Sequence, residues 1–383
     1  VDNTSDLSKP ISTATATALA GKQGTITTGT AAQYFKGDLS LETLDKSAVG
    51  LGNVDNTSDA NKPISTATQA ALDARILSVS NVAALRGITG VAGQIVRTKG
   101  FYTGGDGGSN VFFWNTTSTL TDNGGFVVKA TATATGRWIA ADQSVANLLR
   151  FGAVGDGVTN STTAIQTALA TGRQAFAPKG TYLVNAEMPI LNNVLCEMDA
   201  VFKVTDGYSG TVFSVKSKKQ LTLKGLYIDA QGTGISCTGL RIEGLWNSVI
   251  ENYGFIANAT DVTSIGVDMT STDPSILPGN PWGNYVITFI NPYIIRGNTG
   301  IKTTKTVGDA VENTQFSILG GWVASQSYAA FDLGYITNLV ITNVATDVIY
   351  GTGYIFHHCN QALIHVGEYN SGMLANVTDA NSH

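Results

Sequence analysis

Phe151-Gly152-Ala153-Val154-Gly155-Asp156-Gly157-Val158-Thr159-Asn160, followed after a short helical run by Ala175-Phe176-Ala177-Pro178-Lys179-Gly180-Thr181-Tyr182-Leu183-Val184, is the stretch that decides the reading of this chain. Gly152, Gly155 and Gly157 supply a turn that tolerates positive φ, and Asn160 or Ser161 is placed to cap a helix. Ala164, Ile165, Ala168 and Leu169 make the one apolar stripe of that helix, which must therefore lie on something apolar. No Gly-Lys-Ser/Thr follows the glycines, so they serve backbone geometry rather than a phosphate loop.

Downstream, residues 146 to 383 read as stacked coils. Amides at Asn193, Gln220, Asn247, Asn284, Asn313, Asn338 and Asn360 recur at intervals of 27, 27, 37, 29, 25 and 22 residues. Three positions after each stands an apolar residue: Cys196, Leu223, Ile250, Ile287, Phe316, Ile341 and Leu363. A turn amide followed by an inward residue at fixed offset is what stacked parallel strands require, since amides hydrogen-bond along the stack and apolar rows fill the interior. The longest interval holds Thr270 to Pro281, a Pro-rich insertion expected to project as a loop.

The glycine turn, capping helix and following strand resemble the opening of the right-handed parallel β-helix of pectate-lyase-like proteins, in the version found in bacteriophage tailspikes. The close match covers about thirty residues, and the rest of the C-terminal region follows by rhythm. That family usually carries acidic residues after the turn, where this chain has Asn160 and Ser161. The resemblance implies a fold, and through tailspikes an attachment to bacterial surface polysaccharide.

Only 13% of the 383 residues are charged, and 43 are Gly, which suits a turn-rich β protein. The net charge is −5 and the 23 Lys and Arg form no run, so no nucleic-acid partner is expected. No apolar run of membrane-spanning length is present, and no membrane insertion is expected. Cys196, Cys237 and Cys359 lack metal spacing and read as buried free thiols. The chain starts at Val1 and ends at His383 without a recognisable stop to the coils, so further residues are expected on both sides.

At the N-terminus, Val1-Asp2-Asn3-Thr4-Ser5-Asp6 to Thr15 returns fifty-three positions later as Val54-Asp55-Asn56-Thr57-Ser58-Asp59 to Thr68. Each copy reads as a polar turn, a Pro, a Ser/Thr cap and a short Ala/Leu helix too small to bury a core alone. The repeat, with Ala31 to Asp38 and Val49 to Asn53 between copies, resembles the stalk of phage tail fibres, which are homotrimers. Residues 74 to 92 suggest one more helix and turn, and Gly93 to Ala141 alternate with period two around Val111, Phe113, Phe126 and Val128. Trp114 and Trp138 in this small β module read as buried.

The expected architecture is thus mainly β: a repeat-containing trimeric stalk for virion attachment (1–80), a small β connector domain (81–145), and a right-handed parallel β-helix (146–383) with its capping helix near 161–170. Resemblance to tailspikes implies a virion tail location, contact with phage tail or baseplate proteins through the N-terminus, and capsule or O-antigen polysaccharide as the partner of the β-helix.

Cleaving a glycosidic bond commonly takes two carboxylates flanking the sugar link. Asp309 and Asp332 fall on adjacent coils, displaced by two residues along the strand, which places them on the order of 8 Å apart. That lies within the range of an inverting pair. They are the candidate catalytic acids, with Glu312 as the spare. Arg241 and Glu243, on the outward side of the same strand row, and Trp282 and Tyr285, flanking the projecting loop, are candidate sugar-binding residues. Glu197, Lys224 and Glu251 share one offset and read as a surface charge ladder. Adjacent His357 and His358 point to opposite faces of a strand, so no metal site is expected, and no cofactor. The calcium-and-arginine pattern of pectate lyases is not apparent, so hydrolysis is favoured over a lyase reaction. The alternative is a non-enzymatic structural or adhesive tail fibre.

Overall fold

The computed structural model describes residues 10–23, 28–52, 64–69, 76–270, 282–304, 312–347, 349–370 and 373–377. The chain divides into two compact units, Val1–Gln69 and Ala70–His383. In the first, both repeat copies are capped identically: Ser12 Oγ accepts from Thr15 N at 3.1 Å and Ser65 Oγ from Thr68 N at 3.0 Å. The first helix runs Thr13–Gln23. Gln33–Phe35 pairs antiparallel with Leu41–Thr43. Ile11, Leu19, Phe35, Leu44, Val49, Leu51 and Ile64 are all exposed.

The second unit opens on a five-stranded sheet in the order Ile76–Val79, Ile95–Thr98, Asn110–Asn115, Arg137–Ala140, Val127–Lys129. Its first strand lies ahead of residue 81, and among the described residues of the 74–92 stretch Val82–Arg86 is helical. Phe112 and Trp114 are buried, as expected of Trp114, while Val111 and Phe113 are exposed, so the period-two pattern faces inward through the even-numbered positions of this strand. Trp114 packs edge-on against buried Trp138 at 5.0 Å. In the Gly-rich loop, the carboxylate of Asp106 accepts from the backbone N–H groups of Phe101, Tyr102, Thr103 and Gly108. Burial alone raises its pKa, but these donors outweigh that and hold it below the usual carboxylate value.

At the glycine turn, Gly152 and Gly157 adopt positive φ (92° and 73°). Gly155 serves differently: a Cβ there would stand 3.1 Å from the Cα of Gly180, so the glycine permits two backbones to meet. Asn160 Oδ1 accepts from Thr162 N at 2.9 Å and caps helix Thr162–Ala170. Ser161 instead turns its hydroxyl back to Val154 N and O. Ile165, Ala168 and Leu169 are buried and Ala164 packs partly against the same core, as the stripe requires.

Beyond this cap the chain winds as a parallel β-helix of three faces, all strand pairs between coils being parallel. The first face carries Val145–Asn147, Gln174–Ala177, Val194–Cys196 and Thr222–Lys224, then the end of Ser236–Glu251, Trp282–Ile290, Glu312–Leu319, Ile336–Asp347 and Asn360–Asn370. The second runs Asp156–Asn160, Gly180–Val184, Ala200–Val204, Tyr227–Ala230, Gly254–Ala257, Tyr293–Ile295 and Trp322–Ala324. The third runs Met188–Ile190, Ser209–Lys219, the start of Ser236–Glu251, Ile265–Thr270, Thr299–Thr304, Ala329–Gly334, Thr352–His357 and Met373–Val377. Each face contributes an inner row; on the first it is Ala175, Val194, Leu223, Ile250, Phe289, Ile318, Ile341 and Ile364.

Two columns of left-handed residues make corners. Gln220, Asn247, Val286, Gln315, Asn338 and Gln361 stand at successive rungs with φ between 46° and 61°. Asn252, Asn291 and Asn343, with Gly225 and Gly320, form the second. Gly and Asn are the residues that enter this region at least cost. This corrects the register inferred from amides alone. Gln220 aligns with Asn247 and Asn284 with Asn313, but Asn193 lies level with Thr222, and Asn247 with Val286. Leu223, Ile250 and Ile341 do share one inner row, whereas Leu363 is 61% exposed. Of the surface ladder, Lys224 and Glu251 pair at 3.0 Å; Leu195, not Glu197, is level with Lys224.

Asn284 is one of the amides that work along the stack. Its Oδ1 accepts from Leu245 N at 2.9 Å and its Nδ2 donates to Asn313 Oδ1 at 3.1 Å. Asn284→Ala strands the buried N–H of Leu245, while Asn313 Oδ1 keeps its bond from the backbone N–H of residue 284, and is expected to cost about 2 kcal/mol in denaturant unfolding.

Candidate functional site

The outer surface of the third face carries charge in a protein otherwise poor in it. Ser214, Arg241, Asp268, Lys302 and Asp332 stand in register on five successive coils. Their signs alternate from Arg241 onward, so Asp268 sits between two cations at a rung spacing of roughly 4.8 Å, while Asp332 has Lys302 on one side and Ile355 on the other. Arg241 Nη2 meets Asp268 Oδ2 at 3.4 Å, and His357 Nε2 lies 3.1 Å from Asp332 Oδ1. One row along the strands, Lys216 and Glu243 are in register and pair at 3.2 Å.

Exposure separates these acids. The Asp268 and Glu243 side chains are 7% and 10% exposed and are already held by a cation, while that of Asp332 is 23% exposed beside a 37% exposed His357. Asp332 is therefore the carboxylate in this column most open to a ligand. Its strand end is fixed: Thr303 Oγ1 donates to Gly334 O at 2.9 Å and accepts from Gly334 N at 2.5 Å. Tyr335 then enters the left-handed region (φ 57°) and stacks on His358 at 4.9 Å, one residue beyond His357.

At the corner between the third and first faces, Tyr285 packs against Trp246 at 5.9 Å, with Lys219 Nζ 4.3 Å over the Trp246 ring. At the other edge lies a cleft of about 300 Å³ lined by Ser209, Thr211, Ser236, Cys237, Thr238 and Arg241. Arg241 Nε is buried there without a hydrogen-bond partner among the described residues. Burial pushes the Cys237 thiol up to about 12, as it does that of Cys196, which is only partly buried rather than buried as its sequence suggests. At pH 8 only about one part in ten thousand is thiolate. Both are expected to resist iodoacetamide in the native protein and to react on unfolding, which peptide mass mapping would read.

Of the residues singled out from sequence, Arg241 and Asp332 share one outer column, Glu243 lies in the next row of the same face, and Tyr285 stands at its corner. Glu312 is level with Trp282 on the first face. Asp309 lies outside the described residues. Sequence reasoning missed Asp268, Lys302, Lys216 and the pairing of His357 with Asp332. Asp268 was within reach, 27 residues after Arg241, the interval already found between the first amides. The steps of 34 and 30 to Lys302 and Asp332 conceal the rest of the column.

Residues 78–143 match the family described as phage tail protein small four-stranded beta-sheet domain, and residues 145–373 match that described as Rhamnogalacturonase A/epimerase, pectate lyase-like. The chain is 42% identical over 92 residues to the Gene 31 protein of Mycobacterium phage D29, an alignment covering 21% of this chain and 15% of that protein. Among solved structures, the gp42 tailspike of Acinetobacter phage vb_AbaP_AS12 superposes with a TM-score of 0.54 at 13% identity, over 79% of this chain and 56% of that one. The enzymatically active domain of tailspike protein 2 of bacteriophage CBA120 gives 0.46 at 15% identity, over 86% and 55%. The chain thus spans about half the length of the tailspikes it matches and a smaller part of the curated relative. With a pectate-lyase-like family match over more than half of its length, borne on a parallel β-helix that follows a domain matching a phage tail protein family and shares the fold of a phage tailspike, the chain belongs to the Rhamnogalacturonase A/epimerase, pectate lyase-like family.

Proposed function

We propose that this chain is the β-helical part of a phage receptor-binding protein that holds a bacterial capsule or O-antigen polysaccharide against its third face and cleaves it by glycosidic hydrolysis. The observation that carries the reading is Asp332, an accessible carboxylate set between Lys302 and His357 on a strand end pinned by Thr303. The chemistry needs one carboxyl group to protonate the departing glycosidic oxygen and a second to activate water. Asp332 and Asp309 are the proposed pair and Glu312 the spare, the role of Asp309 resting on its sequence spacing. Arg241, Glu243, Trp282 and Tyr285 would bind flanking sugars, the partly exposed guanidinium of Arg241 offering donors to a sugar hydroxyl or carboxylate.

The family match, described by two carbohydrate-active enzyme types, and the tailspike fold support this reading. The exposed apolar side chains of the N-terminal unit support assembly as a homotrimer attached to the tail, because one copy leaves them in water. The ion pairs that already neutralise Glu243 and Asp268 favour a second reading, adhesion without cleavage.

Reducing-end release from a panel of capsular polysaccharides and O-antigens, by wild type beside Asp309→Asn and Asp332→Asn, separates the two. Release by wild type that the substitutions abolish supports hydrolysis at these acids. Binding without release makes the protein an adhesin, and release that survives both substitutions moves the site elsewhere.

A further inference from the structure

The second face carries an outward row that breaks the polar-out rule of an exposed strand. Tyr227, Gly254, Tyr293 and Trp322 occupy successive rungs, the same side of the sheet on four coils. Trp322 is 37% exposed, and Tyr293 packs on it at 5.5 Å between ring centroids with 63° between planes. The missing side chain at Gly254 is what lets the row close up: a Cβ there would stand 2.2 Å from the Tyr227 ring, so that ring lies across the glycine rung toward Tyr293. The three rings span three rung spacings, roughly 14 Å.

At the Tyr227 end the row runs into a cavity of about 750 Å³, lined also by Glu197, Asp199, Lys224 and Asn252. Its rim is charged and ordered. Glu197 Oε2 accepts from Lys179 N at 2.8 Å, Lys179 Nζ reaches Asp199 at 2.9 Å, and Lys224 pairs with Glu251 at 3.0 Å. Aromatic surface leading into a pocket with polar groups on its rim suits a ligand that has apolar ring faces and a hydroxylated edge. A sugar chain has both, whereas an aliphatic protein surface would leave the charged rim unmatched.

We propose that the Tyr227–Tyr293–Trp322 row and its cavity form a second glycan-binding strip, separate from the Asp332 face, on which successive pyranose rings of the same polysaccharide stack. The inference rests on the reading that the β-helix binds polysaccharide. Its role is to retain the chain between encounters with the third face, so that affinity for long chains exceeds that for short ones.

Affinity electrophoresis through gels containing purified capsular polysaccharides or O-antigens tests it, using wild type, Trp322→Ala, Tyr293→Ala and Trp322→Phe, each checked by thermal melting and sedimentation. Trp322→Ala and Tyr293→Ala are expected to weaken retardation about five- to tenfold. Trp322→Phe, which keeps a ring and guards against a folding defect, is expected to recover most of it. If wild type is retarded and Trp322→Ala equally so, the strip is refuted and polysaccharide binding at the third face stands. If the alanine variants change the sedimentation of the protein, the row is a contact between copies of the chain and the proposal falls. If wild type is retarded by no polysaccharide, both this inference and the reading beneath it fail.

Discussion

Asp332→Asn is expected to lower reducing-end release by at least about a hundredfold, the scale on which a positioned acid or base contributes, with little change in thermal unfolding. The asparagine keeps the volume and can still meet His357, so what is lost is a charge and a transferable proton. The Asp332–His357 pair, at 3.1 Å and with both side chains partly exposed, contributes at most about 1 kcal/mol to stability. A fall in activity without a fall in stability therefore isolates chemistry from folding. His357→Gln is expected to lower activity less, because it alters only how the Asp332 carboxylate is oriented, and a pH–rate profile on both variants would separate the two roles. A large loss of stability in Asp332→Asn would instead make the aspartate a structural member of the charged column.

The second large effect lies directly beneath that column. Phe331 is fully buried, in register with Ile301 and Tyr354 on the inner side of the third face, and stacks on the Tyr354 ring at 5.1 Å with 12° between planes. Phe331→Ala empties the space between two coils where neither neighbour can close in without breaking strand register. It is expected to destabilise the β-helix by about 4 kcal/mol, measured by denaturant unfolding. Because Asp332 follows Phe331 in the same strand, activity at temperatures below unfolding should fall as well. A Phe331→Leu variant, which refills most of the volume, is expected to recover much of both.

The opening of the β-helix was legible because its signals are local. A glycine turn, a capping amide and a helix with one apolar stripe are adjacent in sequence, and the structure uses them nearly as read, Asn160 taking the cap and Ser161 the turn. The N-terminal caps were legible for the same reason, Ser12 and Ser65 each serving its own next turn. The coil register was only partly so. Amides mark two different jobs in this fold, the buried ladder of Asn284 and Asn313 and the left-handed corner of Asn247 and Asn338, and these differ by two positions along the chain. Val286 and Gln315 fill corner rungs where no asparagine announces them.

The site was legible to the extent that alternation along a strand is. Arg241 and Asp332 fell on one outward column because both were counted back to an anchor on the same side of a corner. Asp268 and Lys302 between them escaped notice because the coils differ in length, and charge complementarity between rungs is a property of the stack rather than of any one strand. The small β domain shows the opposite hazard: period two was recognised around Val111 and Phe113, but alternation alone leaves open which phase faces inward, and Phe112 and Trp114 took the core.

The most direct test of the account is a crystal structure of the protein carrying Asp332→Asn, soaked with oligosaccharides from the polysaccharide that wild type binds. The account predicts sugar density along the third face, crossing the rungs of Lys302 and residue 332 within hydrogen-bonding reach of His357. Bound oligosaccharide with that column bare would contradict it.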